Sequence, residues 1–145
     1  MIAHTIEIDR RPEDVFEYLD QVERHGEWQR QIVSTKVQTD GPVGVGTRVR
    51  EIRRIGGREL DASYEITEHD PPRKTSFRGV VGPVRPVGTV TVEPAGDGST
   101  TRVSIQFDLV GHGIGKLIAP LAGMQARKSI VENQERLKAK LEGGA

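Results

Sequence analysis

Hydrophobic and polar residues alternate at the start of the chain. Isoleucine occupies positions 2, 6 and 8 and histidine occupies position 4, whereas the positions between them carry Ala3, Thr5 and Glu7. A period of two residues is typical of a strand with one buried face. The pattern therefore predicts an opening β-strand with His4 on its apolar side.

Two short helices are predicted between this strand and the next. Pro12 suits the first position of a helix, and the acidic residues Glu13 and Asp14 suit the positive end of its dipole. The second segment, residues 22–28, is charged at most positions. We expect Trp28 to be its buried anchor.

The stretch from residue 32 to residue 109 consists of strand-like runs separated by turn sequences such as Gly-Pro, Asp-Pro-Pro and Gly-Asp-Gly. Links this short join antiparallel strands, because a parallel crossover needs about a dozen residues or more. The runs predict six strands, at residues 32–39, 47–55, 58–69, 74–81, 84–93 and 100–109. With the first strand they form a seven-stranded antiparallel sheet, and alternation within the runs gives this sheet one apolar face.

A long amphipathic helix is predicted at the end of the chain. Apolar residues recur there at spacings of three and four, namely Ile114, Leu117, Ile118, Leu121, Met124, Ile130, Val131, Leu137 and Leu141. We expect this stripe to cover the apolar face of the sheet, because both surfaces need a partner layer. Pro120 lies inside the helix, so a bend or a new helical start is expected near it.

Composition fits one α+β domain over residues 1–145. The 21 basic residues balance the 21 acidic ones, so no global field favours nucleic acid or an anionic membrane surface. The absence of cysteine excludes disulfides and cysteine-based zinc sites. No window approaches the ~20 apolar residues of a membrane span, and the N-terminus does not resemble a signal peptide. We therefore expect a cytoplasmic protein without stable membrane insertion, either a monomer or a homodimer.

Several motifs occur in an order shared with a known superfamily. They are Arg11-Pro12-Glu13-Asp14-Val15-Phe16 after the first strand, Trp28 at the end of the second helix, the glycine-rich run 41–47 before the third strand, Pro71-Pro72 before the fifth and Leu137-Lys138 near the end. The chain resembles the START-related (SRPBCC, Bet v 1-like) superfamily, and most of all its small bacterial polyketide cyclase/dehydrase-like members. The resemblance implies a helix-grip fold, in which the sheet wraps around the C-terminal helix and leaves a deep cavity. It does not imply a reaction, because the superfamily contains carriers, sensors and enzymes.

Four residues are candidates for acid–base chemistry: Glu51, Arg53, Tyr64 and His4. Glu51 and Arg53 share the more apolar face of their strand, so both are candidates to point inward. Two alternatives are that the opposite face turns partly inward at a twisted sheet edge, or that the two residues simply pair as neighbours. An apolar setting would favour the neutral ring of His4 and make it a candidate general base. The alternative is a core histidine satisfied by a hydrogen bond.

Eight residues are expected to line a ligand cavity: Trp28, Val49, Tyr64, Phe77, Phe107, Met124, Arg127 and Val131. Arg127 either reaches into the cavity to meet a carboxylate or carbonyl of the ligand, or lies along apolar surface with its charge in solvent. The four histidines lack the spacing of metal ligands, and the glycines at 41–46 precede a strand rather than a helix. No metal and no cofactor are expected.

Three classes of function compete. The first is binding or transport of a small hydrophobic molecule, such as a lipid, a polyketide or an aromatic metabolite, and the small number of convergent polar groups favours it. The second is a polyketide cyclase or dehydratase that uses an acid or base in the cavity. The third is a protein-interaction module, and the neutral net charge argues against an RNA partner for it.

Overall fold

The computed structural model describes residues 1–55 and 57–143. The elements in chain order are β1 (Ile2–Ile8), α1 (Pro12–Asp20), a 3-10 helix (Val22–Glu27), β2 (Ile32–Val37), β3 (Arg48–Ile55), β4 (Arg58–Asp61), β5 (Tyr64–Asp70), β6 (Lys74–Gly79), β7 (Val84–Ala95), β8 (Thr100–Gly111) and α2 (Gly115–Glu142).

The strands form one antiparallel sheet. Seven of them follow a continuous path in the order β1-β8-β7-β6-β5-β3-β2, and β4 pairs with β3 beside this path. The chain therefore crosses from β1 over the two short helices to the far edge of the sheet and returns strand by strand to β8, which pairs with β1. The predicted arrangement is confirmed: a curled antiparallel sheet, two short helices after the first strand and a long C-terminal helix.

One predicted strand, residues 58–69, is divided in two. The backbone N–H of Ser63 donates a 2.9 Å hydrogen bond to the carboxylate of Asp61, an aspartate turn that ends β4. The N–H of Ala62 still donates to the carbonyl of Glu51 in the register of the flanking pairs, so the interruption is confined to residues 62 and 63. As a result β4 and β5 both pair with β3, at different positions along it.

The core lies where the second half of α2 crosses β1, β7 and β8. It is one cluster of buried residues: Ile6, Ile8, Val15, Phe16, Tyr18, Trp28, Val92, Val103, Leu137 and Leu141. Trp28 is buried as predicted, and its indole N–H has no hydrogen-bond partner among the described residues. The face of the sheet that meets this cluster is called the inner face below.

The first half of α2 does not cover the sheet as predicted. Of the predicted stripe only Ile130, Leu137 and Leu141 are buried, whereas the apolar residues from 114 to 124 are 42–78% exposed. Gly115 and Gly123 are the buried positions of this half. A Cβ on Gly115 would lie 1.7 Å from the carbonyl oxygen of Pro83, so the helix backbone itself rests on the β6–β7 loop. The helix continues through Pro120 without a new start.

Candidate functional site

Burial on the inner face changes along the strands. In β8, Thr101 and Val103 are at most 1% exposed, whereas Ile105, Phe107 and Leu109 are half-buried. The same change occurs in β7, from the buried Val92 to the half-buried Val90. The second half of α2 covers the end of the sheet that contains Val92 and Val103. The large apolar side chains in the first half of α2 point away from the end that contains Phe107 and Leu109. We call the less covered end the open end of the sheet.

A hollow of about 400 Å³ lies at the open end, between the first half of α2 and the paired strands β1 and β8. Ile2, Asp108, Leu109 and Gly111 line it from the sheet, and Lys116, Ala119, Pro120, Gly123 and Arg127 line it from the helix, so charged groups share its wall with apolar ones. Its volume falls within the ~300–1,000 Å³ of small-molecule sites. The small side chains on the helix side leave this space unfilled.

Aromatic residues continue the inner face across the neighbouring strands. Phe107 and Phe77 stand on either side of Gly88 in the strand register. A Cβ on Gly88 would lie 2.5 Å from the Cβ of Phe107 and 3.0 Å from the Cζ of Phe77, so the two rings need glycine between them. Tyr64 follows, with its ring centroid 6.0 Å from that of Phe77 in an edge-on arrangement. Three of the four aromatic residues that were expected to line the cavity, namely Tyr64, Phe77 and Phe107, thus lie next to one another.

Glu51 and Arg53 extend this surface along β3. Both lie on the inner face, since Val49 in the same parity is opposite Tyr64. Glu51 is only 4% exposed, and its carboxylate accepts a 2.6 Å hydrogen bond from Nε of Arg53. Nη2 of Arg53 donates to the side-chain carbonyl of Gln29, which follows the 3-10 helix. The two residues therefore both point inward and pair as neighbours.

The electrostatics of this cluster keep its phenol neutral. Burial, reinforced by the negative charge of Glu51, raises the pKa of the Tyr64 hydroxyl. The Arg53 charge opposes this change but is the smaller effect. Tyr64 is thus a hydrogen-bond donor at ordinary pH, beside a paired carboxylate and guanidinium.

His25 lies close to the same charges. Its Nε2 is 2.7 Å from the carbonyl oxygen of Leu19, so a neutral ring with the proton on Nε2 fits. Burial lowers the pKa of the His25 imidazole, while that hydrogen bond and the Glu51 charge oppose the shift less strongly. The ring also packs edge-on against Trp28, with centroids 5.6 Å apart.

His4 is held by the helix rather than free in the hollow. Its Nδ1 is hydrogen-bonded to the side-chain carbonyl of Gln134, which is 2% exposed. This matches the alternative of a core histidine satisfied by a hydrogen bond. One helical position earlier, Asn133 donates to Gln31 over 2.9 Å. The first contact ties α2 to β1, and the second ties it to the residue that precedes β2, at the border between the core and the open end.

The remaining predicted ligand residues are not gathered at one place. Val49 is buried next to Tyr64, and Trp28 belongs to the core. Met124 is 67% exposed and Val131 42% exposed on α2. Arg127 is exposed and lines the hollow.

Sequence reasoning missed two partners of the cluster. Gln29 was overlooked because nothing in the local pattern distinguishes it from the polar residues around it. Gly88 lies inside the predicted strand 84–93 and is a member of β7, but the local pattern does not indicate that its missing side chain makes room for two aromatic side chains.

None of the helices in the described part of the chain combines the length and apolar content needed to cross a bilayer. Among family models, that of polyketide cyclase / dehydrase and lipid transport proteins matches residues 2–142. No curated protein matches the sequence.

Solved structures share the fold at low sequence identity. The Zhui aromatase/cyclase from a Streptomyces species superimposes with a TM-score of 0.79 at 16% identity, over 97% of this chain and 92% of that one. A protein from Thermus thermophilus gives 0.77 at 19% identity, over 99% and 98% of the two chains. A START superfamily protein from Mycobacterium smegmatis gives 0.72 at 16% identity, over 98% and 94%.

Proposed function

Because the chain belongs to the polyketide cyclase / dehydrase and lipid transport family, we propose that it binds a small hydrophobic molecule between the open end of its sheet and the first half of α2. A lipid, a polyketide or an aromatic metabolite fits this description. The description of the matching family includes lipid transport, which supports a binding role.

The observation that carries this proposal is the uneven cover of the inner face. Leu137 and Leu141 close the core at one end, and at the other end Phe107 and Leu109 remain half-buried beside a hollow of about 400 Å³. Apolar side chains left partly exposed in a concave surface gain free energy when an apolar guest covers them, by about 25 cal/mol per Å² buried.

Arg53 and Tyr64 supply the hydrogen-bond donors that would bind the polar end of the guest. A guanidinium has five N–H donors, and the contacts to Glu51 and Gln29 use two of them. The other donors have no hydrogen-bond partner within residues 1–55 and 57–143, so a carbonyl or carboxylate of the guest can accept from them, and the protonated Tyr64 hydroxyl supplies one more donor. A guest with an apolar body and one oxygen-rich end fits this division.

The experiment is a fluorescence titration with cis-parinaric acid, followed by competition with fatty acids and aromatic polyketides. We expect saturable binding of one probe per chain. Leu109→Trp fills the hollow and should weaken probe binding about tenfold or more. Val110→Trp is the matched control, because Val110 is the next residue along β8 and lies on the outer face.

Two results would refute the binding proposal. One is no saturable probe binding by the folded wild-type protein. The other is equal binding by the two tryptophan variants, because the guest would then occupy some other surface. Thermal unfolding of both variants checks that they remain folded.

A cyclase or dehydratase reaction is the second candidate. The observation that favours it is the group formed by Glu51, Arg53 and Tyr64, a carboxylate, a guanidinium and a neutral phenol on one surface. The aromatase/cyclase among the structural neighbours raises the same possibility. Incubation with a poly-β-ketone thioester, analysed by mass spectrometry for loss of water, tests it. If turnover occurs, Tyr64→Phe should lower kcat more than it raises KM, since the hydroxyl would donate to charge that develops during the reaction.

A further inference from the structure

The first half of α2 combines exposed apolar residues with charged residues of a single sign. Leu117, Leu121 and Met124 are 78%, 68% and 67% exposed. They recur at spacings of four and three, as one face of a helix does, and Lys128 and Val131 continue that face. Single exposed apolar residues are ordinary, but a contiguous face of them marks an interaction surface.

The first half of the helix and the turn before it carry only positive charge. Asp108 lines the same hollow as Lys116 and Arg127, but it pairs with the N-terminal ammonium group over 3.2 Å. Between residues 109 and 131 the sequence contains Lys116, Arg127 and Lys128 but no aspartate or glutamate, although the whole chain has equal numbers of basic and acidic residues. All three cations are exposed. The partner that fits this face is therefore one with an apolar layer beneath negative charge.

The orientation of this face is fixed by the opposite side of the helix. Gly115 packs against the carbonyl of Pro83, and the N–H of His112 donates a 2.7 Å hydrogen bond to that carbonyl. Gly123, farther along, is buried. Because the backbone contact at Gly115 holds this side of the helix inward, the large apolar residues on the opposite side point outward. Val81 in the adjoining β6–β7 loop is also exposed, at 38%.

We propose that this face, made of Ile114, Leu117, Ile118, Leu121 and Met124 with Lys116, Arg127 and Lys128, docks reversibly on a lipid bilayer that contains anionic lipids. The apolar side chains enter the boundary between headgroups and acyl chains, and the cations contact the lipid phosphates. This is the geometry of an interfacial amphipathic helix, and it needs no membrane-spanning segment. Docking would bring the open end of the sheet to the bilayer surface.

The test is co-sedimentation of the protein, without added guest, with two kinds of vesicle. One contains phosphatidylcholine alone, and the other contains about one quarter phosphatidylglycerol. We expect about fivefold more binding to the anionic vesicles, and a decrease of this binding when salt screens the charges. Leu117→Ser/Leu121→Ser should lower binding about fivefold or more. Val33→Ser/Val87→Ser is the matched control, because both valines are 45% exposed and lie on other elements.

Three outcomes would overturn the inference: no binding to anionic vesicles, equal binding by both serine pairs, or no loss of binding in Arg127→Glu/Lys128→Glu. Sedimentation velocity tests the alternative that a second copy of the chain covers this face. If Leu117→Ser/Leu121→Ser converts a dimer to a monomer and the wild type ignores vesicles, the face is a dimer interface and docking is wrong. Leu109→Trp should keep vesicle binding, so failure of the proposed guest binding and failure of membrane docking are distinguishable.

Discussion

Nε of Arg53 donates a 2.6 Å hydrogen bond to the carboxylate of Glu51, two positions earlier on the same face of β3. The Glu51 side chain is 5% exposed and that of Arg53 23% exposed. A charge this deeply buried requires a partner, because removing one member leaves the other desolvated and unpaired. The pair is therefore both a structural element and the polar end of the candidate site.

Glu51→Gln should lower the free energy of unfolding by about 1–3 kcal/mol, because Arg53 loses its counterion. The double variant Glu51→Gln/Arg53→Met should lose less than the sum of the two single changes. Urea denaturation measures both effects. The control is Glu59→Gln, which breaks the exposed pair with Arg54 and should change stability by less than about 0.5 kcal/mol. Equal effects of the two glutamine variants would show that burial of the pair contributes nothing.

Gly88→Ala should destabilise the protein by about 1–3 kcal/mol. The new Cβ would lie 2.5 Å from the Cβ of Phe107, so the strands or the aromatic rings must shift. Gly44→Ala is the matched control, because no atom lies within 4 Å of its added Cβ and its φ is not positive. Thermal unfolding compares the two. A Gly88→Ala variant as stable as Gly44→Ala would contradict the tight crossing of Phe77 and Phe107 at this glycine.

Truncation of two leucines of α2 should change the free energy of unfolding by very different amounts. Leu137 is 1% exposed in the core, so Leu137→Ala should cost about 2–5 kcal/mol through lost burial and a new cavity. Leu117 is 78% exposed, so Leu117→Ala should change stability by less than about 0.5 kcal/mol. Chemical denaturation of both variants tests whether only the second half of the helix covers the sheet. A large loss in Leu117→Ala would mean that the first half is packed down in solution.

Stability should fall as the pH is lowered, partly because of His25. Burial lowers the pKa of this imidazole, so the unfolded chain takes up a proton near pH 6.5 and the folded chain does so only at lower pH. The unfolded state then binds more protons, and the stabilisation is complete above about pH 6.5 and lost as the pH falls below it. His25→Gln should flatten this slope by at most about 1.4 kcal/mol per pH unit.

The measurement is urea denaturation at intervals from about pH 7.5 to about pH 5.5. His112→Gln serves as the control, because His112 is exposed where β8 ends and no side-chain hydrogen bond holds it among the described residues. If the wild type and His25→Gln lose stability in parallel, the half-buried imidazole of His25 is not the group that titrates.

The local sequence pattern was sufficient to predict the helices and strands. The alternation in β1 and β8, the Pro12 start of α1 and the turn residues between strands each reflect short-range backbone preferences, which are visible in the sequence. It was not enough to predict the division of β4 from β5, since the Asp61 carboxylate ends a strand there by accepting a hydrogen bond from the backbone N–H of Ser63. It also left undecided whether Glu51 and Arg53 point inward, because the strand has both charged and apolar residues on each face.

The sequence by itself determined the order of the elements, the antiparallel sheet and the family resemblance, since these follow from periodicity, turn residues and motif order. Only the tertiary structure decided which part of α2 covers the sheet. Leu117 and Leu137 have the same spacing signal, but Gly115 lies against Pro83 and leaves the leucines of that half facing outward, whereas Leu137 is buried among residues far away in the chain. Periodicity places residues on one side of a helix, and only contacts between distant segments determine what that side meets.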